Sequence, residues 1–257
     1  MQFLADLESI WYGPRADSAP TLVFLHEGLG SVSMWRDFPR RLSEATGYGA
    51  LVYSRRGYGS SPPAALPRPI GYMHDEADVL AEVMRQHGVR EAVLVGHSDG
   101  ASIALIYAGR NASGPLRALI LEAPHVFVET LSVESIAAMK RAWETTDLRD
   151  RMARHHRDVD NAFLGWNDVW LDPGFRDWNI EELLGEIEVP MLLIQGSDDE
   201  YGTWKQVEAI ERQVRGLVET LLVPGARHAA HRDQPDLVLE KMAAFVKTLK
   251  ERGVGRR

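Results

Sequence analysis

The stretch Ala92-Val93-Leu94-Val95-Gly96-His97-Ser98-Asp99-Gly100-Ala101-Ser102-Ile103-Ala104-Leu105-Ile106-Tyr107-Ala108 decides how this chain is read. Four apolar residues in succession, Ala92 to Val95, suit a strand buried on both faces. The run from Ala101 suits a buried helix. Between them Gly-His-Ser-Asp-Gly sets a serine on a turn so tight that small residues are needed two positions to either side. Such a serine stands clear of the sheet, and the first helical turn points free N–H groups at negative charge developing beside it. Gly-x-Ser-x-Gly alone is a weak signal; its place between strand and helix gives it weight.

Outward from this point, apolar runs at 21–26, 50–54, 118–122, 191–195 and 220–223 read as further strands. Residues 3–12 are expected to add one or two edge strands. Amphipathic helices alternate with them: Trp35, Phe38, Leu42 and Ala45; Met73, Ala77, Leu80 and Met84; Val238, Met242, Phe245 and Leu249. Gln234-Pro235-Asp236 opens the last one. The expected fold class is α/β, a mostly parallel, doubly wound sheet flanked by helices. Residues 125–188 break the alternation and are too long for a structureless loop. They are expected to form a helical cap, with helices at 132–143, 147–163 and 179–187, leaving 1–124 and 189–257 as the core. Four of the seven tryptophans, at positions 143, 166, 170 and 178, fall in this insertion.

The bulk numbers bound the function. With 257 residues, 45% of them hydrophobic and 26% charged, the chain suits one large globular domain. A net charge of −8 argues against nucleic-acid binding. The absence of cysteine removes disulfides, a thiol nucleophile and thiolate metal sites. Neither an export signal nor a membrane-length apolar run is evident, so a cytoplasmic protein without a membrane partner is expected. Lys247, Lys250, Arg252, Arg256 and Arg257 read as a solvated basic tail.

A serine hydroxyl needs a base, and the base needs an orienting carboxylate. In this architecture both lie later in the chain, acid before histidine, on loops that follow strands. Gln195-Gly196-Ser197-Asp198-Asp199 and Pro224-Gly225-Ala226-Arg227-His228 occupy such loops. With these motifs the chain resembles the α/β-hydrolase superfamily over essentially its whole length. The family pattern Gly-x-x-Asp picks Asp199 over Asp198. A glycine turn before the histidine and Asp233-Gln234-Pro235 after it pick His228 over His231. The resemblance implies Ser98 as nucleophile, His228 as general base and then acid, and Asp199 as orienter.

Leu25-His26-Glu27-Gly28-Leu29-Gly30-Ser31 resembles the family's His-Gly-x-x-Gly loop, which implies an oxyanion hole of the Gly28 and Asp99 N–H groups, with Leu29 as the alternative to Gly28. Glu27 stands where the family usually has Gly. Ser54-Arg55-Arg56-Gly57-Tyr58-Gly59-Ser60-Ser61 resembles a loop that braces the fold. Haloalkane dehalogenases and related epoxide hydrolases place Asp at the elbow; serine here implies acyl transfer.

The expectation is therefore a cofactor-free serine hydrolase that cleaves a small-molecule carboxylic ester, thioester, lactone or amide. The partner is a small-molecule substrate, and assembly as a homodimer is left open. Only neutral imidazole accepts a proton, so activity is expected to fall toward acid pH. Two rivals remain: a carbon–carbon bond hydrolase of a diketone-type ring-fission product, and a non-catalytic ligand receptor on the same fold. Substrate-binding candidates are Glu27, His125, Trp143, Trp166 and Trp170. The Asp99 carboxylate reads as a helix-start charge in preference to a site for a substrate amine. No metal site is expected: His155 and His156 project about 100° apart on a helix, and a solvated face with one of them turned to the pocket is the preferred reading. His74, His87 and His125 read as structural by default, with His125, just after Pro124 at the end of a strand, the one of the three placed where open α/β sheets carry their site.

Overall fold

The apolar runs assemble into one sheet in the computed structural model, which describes residues 6–15, 20–111 and 114–251. Its strands are β1 (Ser9–Tyr12), β2 (Thr21–Leu25), β3 (Ala50–Tyr53), β4 (Ala92–His97), β5 (Leu116–Glu122), β6 (Met191–Gly196) and β7 (Val218–Val223), in the spatial order β1-β3-β2-β4-β5-β6-β7. Only β1 pairs antiparallel, against β3; every other neighbouring pair is parallel. Of the expected edge segment, β1 is present, and residues 3–5 lie outside the described residues.

Side chains alternate across the sheet, so each strand feeds two cores. Leu94 of β4 joins one core with helices α2 (Tyr72–Gln86), α3 (Asp99–Arg110) and α7 (Trp204–Gln213). Val93 and Val95 join the other, with α1 (Phe38–Thr46) and α9 (Pro235–Glu251). Helices on both faces explain why these strands read as continuous apolar runs and not alternating ones. Chain order reverses between β2 and β4. In open α/β sheets that switch point, at the carboxyl ends of the strands, is where ligands bind.

Between β5 and β6 the chain forms α4 (Thr130–Thr145), α5 (Leu148–Met152) and α6 (Val159–Leu171), then 3₁₀ turns at Pro173–Asp177 and Glu181–Glu186. The continuous helix expected over 147–163 is broken after Met152. Asp158 restarts it, its carboxylate accepting the Asn161 N–H at 3.0 Å. The helix expected over 179–187 is a 3₁₀ turn. A short α8 (Ala230–Asp233) precedes α9. Lys247 and Lys250 are exposed, and the Lys250 ammonium also bonds the Thr46 carbonyl and lies 4.5 Å from the Tyr48 ring centroid. Arg252, Arg256 and Arg257 lie outside the described residues. Among the described residues no helix is long and apolar enough to cross a membrane.

Candidate active site

β4 ends at His97 and α3 begins at Asp99, so Ser98 alone turns the chain, at φ 53° and ψ −119°. A non-glycine residue rarely adopts positive φ, and such strain persists only where the surroundings enforce it. The flanking glycines show the enforcement. A Cβ at Gly96 would lie 2.6 Å from the Gly100 carbonyl oxygen, and one at Gly100 would lie 2.1 Å from that of Leu25. The Ser98 N–H donates to the Glu122 carbonyl at 2.9 Å, tying the turn to β5.

The loop after β2 comes against the same turn. A Cβ at Gly28 would lie 2.1 Å from Nε1 of Trp166, so glycine lets α6 close onto this loop. Gly28, Leu29, Ser98 and Asp99 border one cavity of about 100 Å³, with His228 beside them. Ser132 and Ile136 of α4 and Trp166 and Trp170 of α6 supply its other walls, together with Glu27, His125 and Tyr201.

The loops after β6 and β7 meet at the cavity's edge. Nδ1 of His228 lies 2.9 and 3.0 Å from the two carboxylate oxygens of Asp199. Asp199 also accepts the Tyr201 N–H at 2.8 Å and the Gln195 side-chain amide at 2.6 Å. Burial pushes its carboxyl up, but the His228 ring and the Tyr201 N–H outweigh that and hold it below the usual carboxylate range. Asp198 instead accepts the Ser197 hydroxyl at 2.9 Å in an exposed position. His231 is buried against Glu122, its Nδ1 3.0 and 2.9 Å from the carboxylate oxygens.

Residues 22–241 match the alpha/beta hydrolase family. The chain belongs to that family. It is 25% identical over 228 residues to a proline iminopeptidase of Lactobacillus crispatus (strain ST1), covering 73% of this chain and 76% of that one. It is 23% identical over 267 residues to the bifunctional esterase/perhydrolase DCH of Acinetobacter calcoaceticus, covering 92% and 94%. Among solved structures it resembles the enol-lactonase from Burkholderia xenovorans LB400, with a TM-score of 0.71 at 20% identity over 94% and 96% of the two chains. That last likeness speaks for the fold. With family and relatives together, this chain is a hydrolase.

Several residues of the hydrolase depart from their expected places. Trp143 does not line the cavity; it stacks on Phe163 with centroids 4.0 Å apart and planes 8° apart, packing α4 on α6. The Asp99 carboxylate starts α3 as expected, but it is paired inside the protein and not turned to a substrate amine. It is buried, accepts the Tyr72 hydroxyl at 2.6 Å and lies 3.8 Å from the Arg55 guanidinium. Tyr72 in turn accepts the indole N–H of Trp170 at 3.1 Å, so the residue after Ser98 steadies a cavity wall. Arg55 also donates to the Glu27 carbonyl at 2.9 Å, the bracing role expected of its loop.

Neither histidine of the 155–156 pair borders the cavity. His156 is buried, accepts the Gly59 N–H on Nδ1 at 3.0 Å and donates from Nε2 to the Leu29 carbonyl at 3.1 Å. It staples the α5–α6 turn to the loop that carries Gly28. His155 bonds Ser33 at 2.9 Å.

Glu27, the departure from the family pattern, accepts from Arg232 at 2.9 Å and lies 3.6 Å from His97 Nδ1. His97 Nε2 donates to the His228 carbonyl at 2.9 Å. Burial pushes the Glu27 carboxyl up, but Arg232 and His97 carry it well below the usual range. One carboxylate thus links the loop after β2 to the end of β4 and to α8. Sequence reading missed this link because its members are joined only by folding. It also missed Ser132 and Ile136, whose spacing of four on α4 was the available signal. Among the described residues no three His, Cys, Asp or Glu side chains are placed to hold a metal ion.

Proposed function

We propose that this hydrolase cleaves a small-molecule carboxylic ester, thioester, lactone or amide through an acyl-enzyme on Ser98. The observation that carries the reading is His228, paired with Asp199, sharing a cavity with a serine on an enforced turn. Ser98 Oγ adds to the substrate carbonyl carbon while His228 Nε2 takes its proton. Asp199 holds the Nδ1–H and stabilises the imidazolium. The oxyanion rests on the N–H groups of Gly28 and Asp99, each such donor being worth about 2.7–4 kcal/mol in the transition state. The imidazolium then gives its proton to the leaving oxygen, sulfur or nitrogen as the scissile bond breaks. Water, deprotonated by His228, attacks the acyl-enzyme and releases the acid and the free serine. Residues 125–188 act as a cap that keeps bulk water from the cavity.

Labelling with a fluorophosphonate, wild type beside Ser98→Ala, tests this. An adduct located on Ser98 by mass spectrometry and absent from the variant is the expected result. Folded wild-type protein that takes no label would overturn the reading in favour of a ligand receptor on the same fold.

A further inference from the structure

His125 is a wall of the cavity that the proposed mechanism leaves unused. It follows β5 and its backbone is pinned to α3: its N–H donates to the Ser102 hydroxyl oxygen at 3.2 Å, and its carbonyl accepts the Ser102 hydroxyl at 2.7 Å. The side chain is almost fully buried. Its ring meets Trp170 edge-on with centroids 5.4 Å apart and lies 6.0 Å from the ring of His228.

The ring itself has no polar partner. Nδ1 is shut away without a hydrogen bond, on the edge that faces Gly202, where a Cβ would lie 3.2 Å from Cε1. Nε2 is not closed off in the same way and is the polar atom the ring brings to the cavity it lines. Buried polar groups are nearly always paired, so a ring with neither nitrogen bonded to the protein asks for an explanation, and a ligand at Nε2 is one. Burial, then the neighbouring His228, pushes the ring down to about 4, so at neutral pH it is uncharged. An uncharged imidazole offers either an N–H or a lone pair at Nε2.

Two other polar side chains of the lining are already engaged, while Tyr201 and Trp166 keep a hydroxyl and an indole N–H there. The Ser132 hydroxyl donates to the Tyr201 carbonyl, and Glu27 is held by Arg232. Trp166, Trp170 and Ile136 make the rest of that wall apolar. Of these, His125 alone offers an uncharged imidazole that can either donate or accept, and a few polar handles in a mostly apolar wall orient a ligand and select for one that can use them.

We infer that His125 is a specificity-determining residue that hydrogen-bonds, through Nε2, a hydroxyl or keto oxygen carried on the substrate close to the scissile carbonyl. The inference rests on the acyl-transfer reading above, because the 6.0 Å between the two imidazole rings sets that closeness. The preferred substrates are oxygenated esters or lactones, and unsubstituted acyl chains are the poorer ones.

The test compares ethyl butanoate with ethyl 2-hydroxybutanoate, ethyl 3-hydroxybutanoate, ethyl 3-oxobutanoate and 2-hydroxyethyl butanoate, the last carrying its oxygen on the alcohol side. In the wild type at least one oxygenated ester should exceed ethyl butanoate in kcat/KM by about tenfold or more, since a site built around a hydrogen bond rejects the analogue that lacks it. In His125→Phe, which keeps an aromatic ring against Trp170, that ratio should fall to near one. His125→Gln should recover part of it. A merely structural role would lower all five esters alike and leave the ratio standing, which would overturn the inference. So would wild-type protein that takes the fluorophosphonate label yet shows no preference, or turns over none of the five. Failure of the label itself is the separate failure of the acyl-transfer reading.

Discussion

Ser98 holds its backbone angles because nothing larger than hydrogen fits at Gly96 and Gly100. Gly100→Ala should therefore do more than crowd a side chain: its Cβ would strike the Leu25 carbonyl, which belongs to a central strand. Overpacking of this kind costs about 1–3 kcal/mol. A lowered urea midpoint together with lost fluorophosphonate labelling is the expected result, and unchanged stability would show that β2 yields freely. At the acid, Asp199→Asn should lower kcat by about 10⁴ with little change in fold, because the amide no longer enforces the imidazole tautomer. Near-normal kcat in that variant would mean that another group orients His228. The tight turn at Ser98 was legible in the sequence because backbone geometry demands small residues around it. Asp199 and His228 were singled out by resemblance to a family pattern, and the structure places those two within hydrogen-bond distance. The contacts of Asp99 were not legible, because Arg55 reaches it from the loop after β3 and Tyr72 from the start of α2.

The helices between β5 and β6 show where periodicity ends as a guide. Their existence could be read from the absence of strands over 125–188, but the break between α5 and α6 could not. The turn exists so that His156 can reach inward to Gly59 and Leu29, partners about a hundred residues away. Local pattern carries no trace of such a bond. His156→Ala leaves one N–H and one carbonyl without their partner, at about 1–3 kcal/mol if they stay dry. In a chain of this size that corresponds to a fall of about 2–4 °C in Tm per kcal/mol. Hydrogen exchange should rise in α5, in the start of α6 and at residues 28–30, with the sheet unchanged. Exchange confined to α5 alone would show that the staple carries no coupling to the Gly28 loop.

Over the whole molecule, the mostly parallel sheet with helices on both faces was legible because most strands are short, apolar and bounded by turn residues; the strand order was not. The buried charges beneath the candidate active site were not either, because they pair across the sheet. Glu122 faces His231 and His97 with almost no exposure. Burial raises its carboxyl, but the two histidines outweigh this and bring it down to about 2. A carboxyl depressed in the folded state contributes stability that is present above its unfolded value, about 4.3, and is lost as pH falls toward the folded one. Urea midpoints should accordingly drop between about pH 5 and pH 3. Glu122→Gln should be less stable at neutral pH and show a shallower drop; a slope parallel to wild type would remove Glu122 as its source.

The staple also bears on how this protein can be cut down or recombined. Loops inserted between strands usually look dispensable, and trimming residues 125–188 to a short turn would leave every strand in place. It would also strip the Leu29 carbonyl of its donor, the Gly59 N–H of its acceptor and Gly28 of the indole packed against it. The insertion and the Gly28 loop are therefore one inheritable unit. A chimera that takes its helices from one relative should take that loop, and the Arg55–Gly59 turn, from the same parent.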